Sequence, residues 1–152
     1  HDALPISISA QQMQDEIANS KKDLEALGAN ITTFAYPYGN WNSATDQIVK
    51  QAGYMGARTA LMQDGGQNFK DGNPFLIKTF SIESNTAVDE MKQLIDQAIQ
   101  DKAWIVFVMH RVEDSGEQYN TTPATLTAIC DYINSKNVKT VTINQGIQLM
   151  AQ

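Results

Sequence analysis

Cysteine and histidine are scarce in this 152-residue chain, which holds one cysteine, Cys130, and two histidines, His1 and His110. A lone cysteine closes no disulfide, and no Cys cluster exists to ligate a metal. Cys130 lies in the run Leu126-Thr127-Ala128-Ile129-Cys130-Asp131-Tyr132-Ile133, on the apolar stripe of an expected helix. There it reads as a small buried hydrophobe rather than a nucleophile. Positive charge is also thin. The net charge is -6 and no basic run occurs, which argues against nucleic acid or an anionic membrane as the main partner. Long apolar stretches are missing: the longest, residues 103–109, suits a buried strand and is far too short for a membrane span. Internal repeats and low-complexity tracts are absent as well. The length fits one domain and suffices to bury a core.

The chain opens His1-Asp2-Ala3-Leu4-Pro5-Ile6-Ser7. That string resembles one translated frame of a widely used synthetic sequencing adapter. Residues 1–7 are therefore expected to be non-native, left on a gene fragment, and residues 8–152 to be the natural part. His1 is accordingly set aside as a metal ligand.

What remains alternates between two periods. Ser9 and Gln12 predict a capping box for a helix with Met13, Ile17, Leu24 and Leu27 near helical spacing, stopped by Gly28. Residues 31–36 read as a strand, broken by Pro37-Tyr38-Gly39-Asn40. Ser43 is expected to cap a short helix through Ala52, followed by a strand over 54–60. Residues 62–74 read as a loop and 75–82 as containing a strand. Asn85 or Thr86 is expected to cap a helix bearing Val88, Met91, Leu94, Ile95, Ala98 and Ile99. The run 104–109 has the pattern of a strand covered on both faces. A polar loop over 111–121 follows, with Glu113, Asp114 and Glu117 solvated. Thr122-Pro123 starts a helix to about residue 136, 139–143 reads as the last strand, and Asn144 caps a short terminal helix. Such alternation implies an α/β fold with a parallel sheet and crossover helices.

In parallel α/β folds chemistry gathers where strands end. Three strand ends carry unusual residues. At Tyr36-Pro37-Tyr38-Gly39 a rigid turn either packs alone or offers free backbone N–H groups to a ligand. His110 emerges where a buried strand meets solvent, as a hydrogen-bonded surface histidine or as an acid–base group. Arg58, in an apolar strand, calls for a carboxylate partner or for a place in a site. Trp41 and Trp104 read as core or rim aromatics.

In this order and spacing the strand ends resemble the NodB homology domain of family-four carbohydrate esterases, the polysaccharide deacetylases, from about Ser9 to Met150. Phe34-Ala35-Tyr36-Pro37-Tyr38-Gly39 is similar to the family's third motif in its bacterial Tyr-Pro-Tyr-Gly form, and Val108-Met109-His110 to the fifth. Thr121-Thr122-Pro123, Asp131-Tyr132-Ile133 and 138–142 match its last helix and strand. The resemblance implies an α/β fold: a partial, distorted (β/α) barrel lacking its first one or two strands. It also implies metal-assisted removal of N- or O-acetyl groups from a polysaccharide, by a parent that is secreted or on the cell surface. By position, the Tyr38 N–H would stabilise the oxyanion and His110 would be the general acid. Pro37 and Gly39 would hold the turn, while Tyr36 and Arg58 would support the site or bind substrate.

The family's base and metal ligands belong to motifs upstream of Ser9. Ala35 stands where many members have Arg, and the fourth motif's Asp and Trp are not found in 62–82. No metal is therefore expected in this chain, although zinc or another divalent ion is expected in the intact parent. The chain is expected to be inactive alone and to self-associate through an open strand edge. The rival reading is a non-catalytic carbohydrate-binding relative.

Overall fold

The computed structural model describes residues 8–152; the expectation concerning residues 1–7 lies outside them. Helix starts follow local capping chemistry. In α1 (Ala10–Ala26) the Ser9 hydroxyl accepts from the Gln12 N–H at 3.2 Å, and Gln12 Oε1 accepts from the Ser9 N–H at 3.1 Å. Asn42, not Ser43, caps α2 (Ser43–Gln51), because Thr45 three residues on completes a reciprocal pair with it at 2.9 and 2.7 Å. Before α3 (Val88–Asp101) the cap position falls to Ala87, since Thr86 turns its hydroxyl back to the Glu83 N–H at 2.9 Å. Thr122 caps α4 (Pro123–Ser135), with Pro123 first in the helix as expected. Thr142, rather than Asn144, caps α5 (Ile143–Met150) through a box with Gln145.

The strands are short. β1 (Thr33–Ala35) pairs in parallel with β2 (Gly56–Arg58), and Arg58 bridges in parallel to Ile77. β3 (Gln67–Asn68) pairs antiparallel with residues 104–105 rather than joining the parallel runs. β4 (Phe80–Ser81) pairs in parallel with β6 (Phe107–Val108). Bonds such as Ile77 N–H to Ala57 O at 3.0 Å and Thr59 N–H to Ile77 O at 2.9 Å join the pairs. Four parallel runs thus lie side by side in chain order.

Side chains alternate across this array. On one face Tyr36 and Ala57 pack with Met13 and Ile17 of α1 and Ile48 and Val49 of α2. Farther along the same face Phe80 and Ile82 pack with Met91 and Ile95 of α3 and Ile129 of α4. The opposite face presents Ile77, with Trp104 and Val106, and α5 covers it through Ile147 and Met150. The helix approaches closely because a Cβ at Gly146 would collide with the Trp104 ring. Helices therefore cover both faces of the array, and no closed barrel forms among the described residues.

Several expectations are corrected. The run 104–109 is not one strand covered on both faces. It splits at Val106 into β5 (Trp104–Ile105), antiparallel to β3, and β6, parallel to β4. All of it is only half-buried: Trp104, Ile105 and Phe107 line a 380 Å³ apolar cavity, and Val106 to Met109 line another of 350 Å³. Residues 62–74 contain β3, whose Asn68 amide donates to the carbonyls of Gly66, Lys78 and Trp104 at 3.2, 3.0 and 3.2 Å. Residues 111–121 hold β7 (Arg111–Val112), paired with β8 (Asn120–Thr121). Glu113 and Glu117 are not merely solvated but reach Arg111 Nη1 at 3.5 and 3.1 Å. The expected strand over 139–143 is absent; Val138 to Val141 line the apolar cavity instead of pairing. Cys130 is exposed, because the buried stripe of α4 passes through Ile129, one residue and about 100° away. Among the described residues no helix is long and apolar enough to cross a membrane.

Candidate functional site

The turn after β1 is built from its three residues. Pro37 supplies a fixed φ, and Tyr38 takes up φ 54°, ψ 15°, in the left-handed region. Gly39 follows at φ 71°, where a Cβ would collide with Ala60 just beyond β2. The turn is therefore seated on the end of β2. Its carbonyls are engaged: Gly39 N–H donates to Tyr36 O at 2.8 Å and Asn40 N–H to Pro37 O at 3.1 Å. The Tyr38 N–H donates to no described residue. A strained residue with a spare N–H at a strand's carboxyl end is the kind of backbone feature that binds negative charge. The Tyr38 side chain itself is 73 % exposed.

Tyr36 lies on the other side of the backbone. Its ring is buried, edge-on to Phe34 at 5.5 Å, and its hydroxyl has no hydrogen-bond partner. Burial, and secondarily the charge of Asp46, push the phenol well above its ordinary range. Asp46 Oδ1 is itself buried and unpartnered. A substrate cannot reach this ring, which belongs to the core cluster of Met13, Ile17, Ile48 and Val49.

Arg58 closes β2, half-buried, and lines a 350 Å³ cavity with Thr33, Phe34 and Ala35 of the first run and Val106 to Met109 of the last. The carboxylate expected for it is not there: no described residue pairs with its guanidinium. Half exposure leaves the charge within reach of water, so no ion pair is needed to hold it. His110 follows Met109 on the exposed surface, its ring 5.3 Å from that of Tyr119.

The structure thus brings Arg58 together with the residues just before Tyr36 and just before His110. Tyr38 and His110 are not among the residues that line this cavity. Among the described residues no three His, Cys, Asp or Glu side chains cluster to hold a metal ion. The described residues therefore do not fit a zinc site, which needs about three protein ligands.

Sequence reasoning passed over a second concavity. A 400 Å³ cavity under the 63–78 stretch is lined by Trp41, Leu61, Gln67, Phe69 and Lys78, among others. The signal available in the sequence was Trp41, three residues beyond Tyr38.

These observations define an α/β protein whose candidate site residues each follow or close a parallel strand. Residues 1–57 of the chain match the family model for polysaccharide deacetylase. The matched stretch takes in β1, the Tyr38 turn and α2, and ends within β2, before Arg58 and His110. No curated protein and no solved structure matches the chain.

Proposed function

We propose that the chain forms part of a metal-dependent polysaccharide deacetylase that hydrolyses N- or O-acetyl groups on a glycan. The observation that carries this reading is the left-handed Tyr38 with its unused N–H, in the stretch that resembles the deacetylase family. In this reading that N–H stabilises the oxyanion of the tetrahedral intermediate. Pro37, Gly39 and the buried Tyr36 hold it in place. His110 protonates the leaving amine or alkoxide. The reading also requires a divalent ion, zinc or another, and a carboxylate base. In this reading both belong to the intact parent, and this chain alone is inactive.

Zinc titration by calorimetry, run beside acetyl-release assays on chitooligosaccharide and acetylxylan, tests the inactivity. Tight one-to-one zinc binding with turnover would refute it. In a version extended by the gene's upstream sequence, His110→Ala should lower kcat by about 10²–10⁴ while zinc affinity stays unchanged. Unchanged kcat would remove His110 from the chemistry.

A second reading is a carbohydrate-binding relative without catalysis, favoured by the missing ligand cluster among the described residues. An upstream Thr-Phe-Asp-Asp-like strand and a His-x-x-x-His segment in the gene would count against it. The outer strand β1, paired on one side only, further supports self-association of the chain through a second copy. Light scattering on the purified protein decides that, with a strictly monomeric population as the contrary result.

A further inference from the structure

Arg58 is a charge that no step above uses. The chain carries 17 acidic residues and a net charge of -6. Even so, among the described residues no carboxylate pairs with the Arg58 guanidinium. The reason is topological. Ala57 points to the face covered by α1 and α2, so Arg58, next along β2, points to the opposite one. Its register partners there are Ala35 on β1 and Ile77 on the following run, and neither is charged. The 350 Å³ cavity that Arg58 lines is walled by Ala35, Val106, Val108 and Ile143, among others, and Arg58 is the only ionisable residue in its lining. None of the lining residues is fully buried, so a solute can enter and reach the guanidinium. A cation held between apolar walls without a counter-charge gains from any anion that fits beside it.

Charge and walls together set the ligand class. One guanidinium balances one negative charge, and its planar fork matches the two oxygens of a carboxylate. A phosphate or sulfate brings more charge and more oxygens than one arginine satisfies, and no other cation lines the cavity. Such an ion would also leave Val106, Val108 and Ile143 uncovered, whereas a short alkyl chain gains by leaving water against them. We propose that this cavity is a binding site for a small aliphatic monocarboxylate, its two oxygens held by Arg58 and its chain lying against Val106, Val108 and Ile143. The volume of 350 Å³ lies at the low end of small-molecule sites, in keeping with an acid of few carbons. The site uses neither Tyr38 nor His110 and needs neither metal nor turnover, so it stands or falls apart from the deacetylase reading.

The test is an NMR titration of the whole chain with acetate, butanoate, butanamide and phosphate, at fixed ionic strength and about pH 6, where a carboxylate is ionised. The signals read are the Arg58 Nε–H and the Val106 and Val108 methyls. Butanoate should move them saturably at concentrations up to the order of 10 mM. It should bind about ten-fold tighter than acetate, because two further methylenes leave water. Butanamide, which has the shape without the charge, and phosphate should give no saturable shift. Arg58→Gln, followed at the valine methyls, should weaken butanoate about ten-fold or more. Arg58→Lys, which keeps the charge and loses the fork, should weaken it by a smaller factor. Lys22→Gln, exposed on α1, should leave it unchanged. Should Arg58→Gln fail to fold, Arg58→Lys and the butanamide comparison decide. No saturable shift with either acid would overturn the site, as would equal binding of butanamide or phosphate, or butanoate binding that ignores the loss of Arg58. A second copy offering a carboxylate side chain would instead move the Arg58 signal as the protein is concentrated with no acid present, and that result too would overturn a site for a free acid.

Discussion

The backbone N–H of Tyr36 donates to the carbonyl of Arg58 at 3.1 Å, and this bond ties the start of the Tyr38 turn to the end of β2. Three residues on, Gly39 rests against Ala60. With both ends of the turn held against β2, Tyr38 is kept in a left-handed conformation that a non-glycine residue would otherwise leave.

That arrangement makes Gly39 intolerant of a side chain. Gly39→Ala adds a left-handed penalty and a collision with Ala60, and should cost about 2–4 kcal/mol in urea unfolding. Tyr38→Gly should instead stabilise by about 1 kcal/mol, because it removes strain and keeps the N–H. A loss below about 0.5 kcal/mol for Gly39→Ala would mean the turn is not seated on β2.

Tyr36 predicts an alkaline limit to stability. Burial raises the pKa of its phenol, so the folded state keeps a proton that the unfolded chain releases near about pH 10. The stabilising contribution is complete below that pH and fades as pH climbs above it. Tyr36→Phe should flatten the alkaline fall. It should also raise stability at pH 7 by about 1 kcal/mol, since the lost hydroxyl has no partner. Parallel unfolding curves from pH 7 to 11 for both proteins check this; an identical alkaline slope would contradict the burial.

Ile77 is fully buried where α5 covers the inner face. Ile77→Ala should cost about 2–4 kcal/mol and shift Trp104 emission to the red. A cost under about 1 kcal/mol would show that α5 does not seal that face.

Cys130 should react fully with a small thiol reagent in the folded protein, because it is exposed. Cys130→Ser should change stability by less than about 0.5 kcal/mol. Protection of the thiol until unfolding would restore the buried placement that helix periodicity first indicated.

Legibility followed the range of each interaction. The Ser9–Gln12 box, the Thr122-Pro123 start and the stop at Gly28 were readable because every partner lies within four residues. The same local chemistry misled by a position or two at Asn42 and Thr142, where two nearby side chains could each cap. The break at Pro37-Tyr38-Gly39 was readable too, but the seat on Ala60 was not, because Ala60 is brought there by strand pairing. The cavity-lining residues Gln67 and Phe69 fell in a stretch whose composition says loop. Only the antiparallel pairing with Trp104 and Ile105 buries Gln67 and leaves its oxygen unmatched.

By itself the sequence determined the alternation of helices and strands, the helix starts to within a position or two, and the rigid turn bearing Tyr38, since these depend on dihedral preferences and hydrogen bonds made within a few residues. Tertiary structure alone decided which strand edges met, that 104–108 would divide between two partners, and that α5 would cover the inner face in place of a closed barrel. Apolar runs of similar composition can pair in many registers. Which pairing wins depends on the shape and burial of the assembled core, and no window along the chain contains that information.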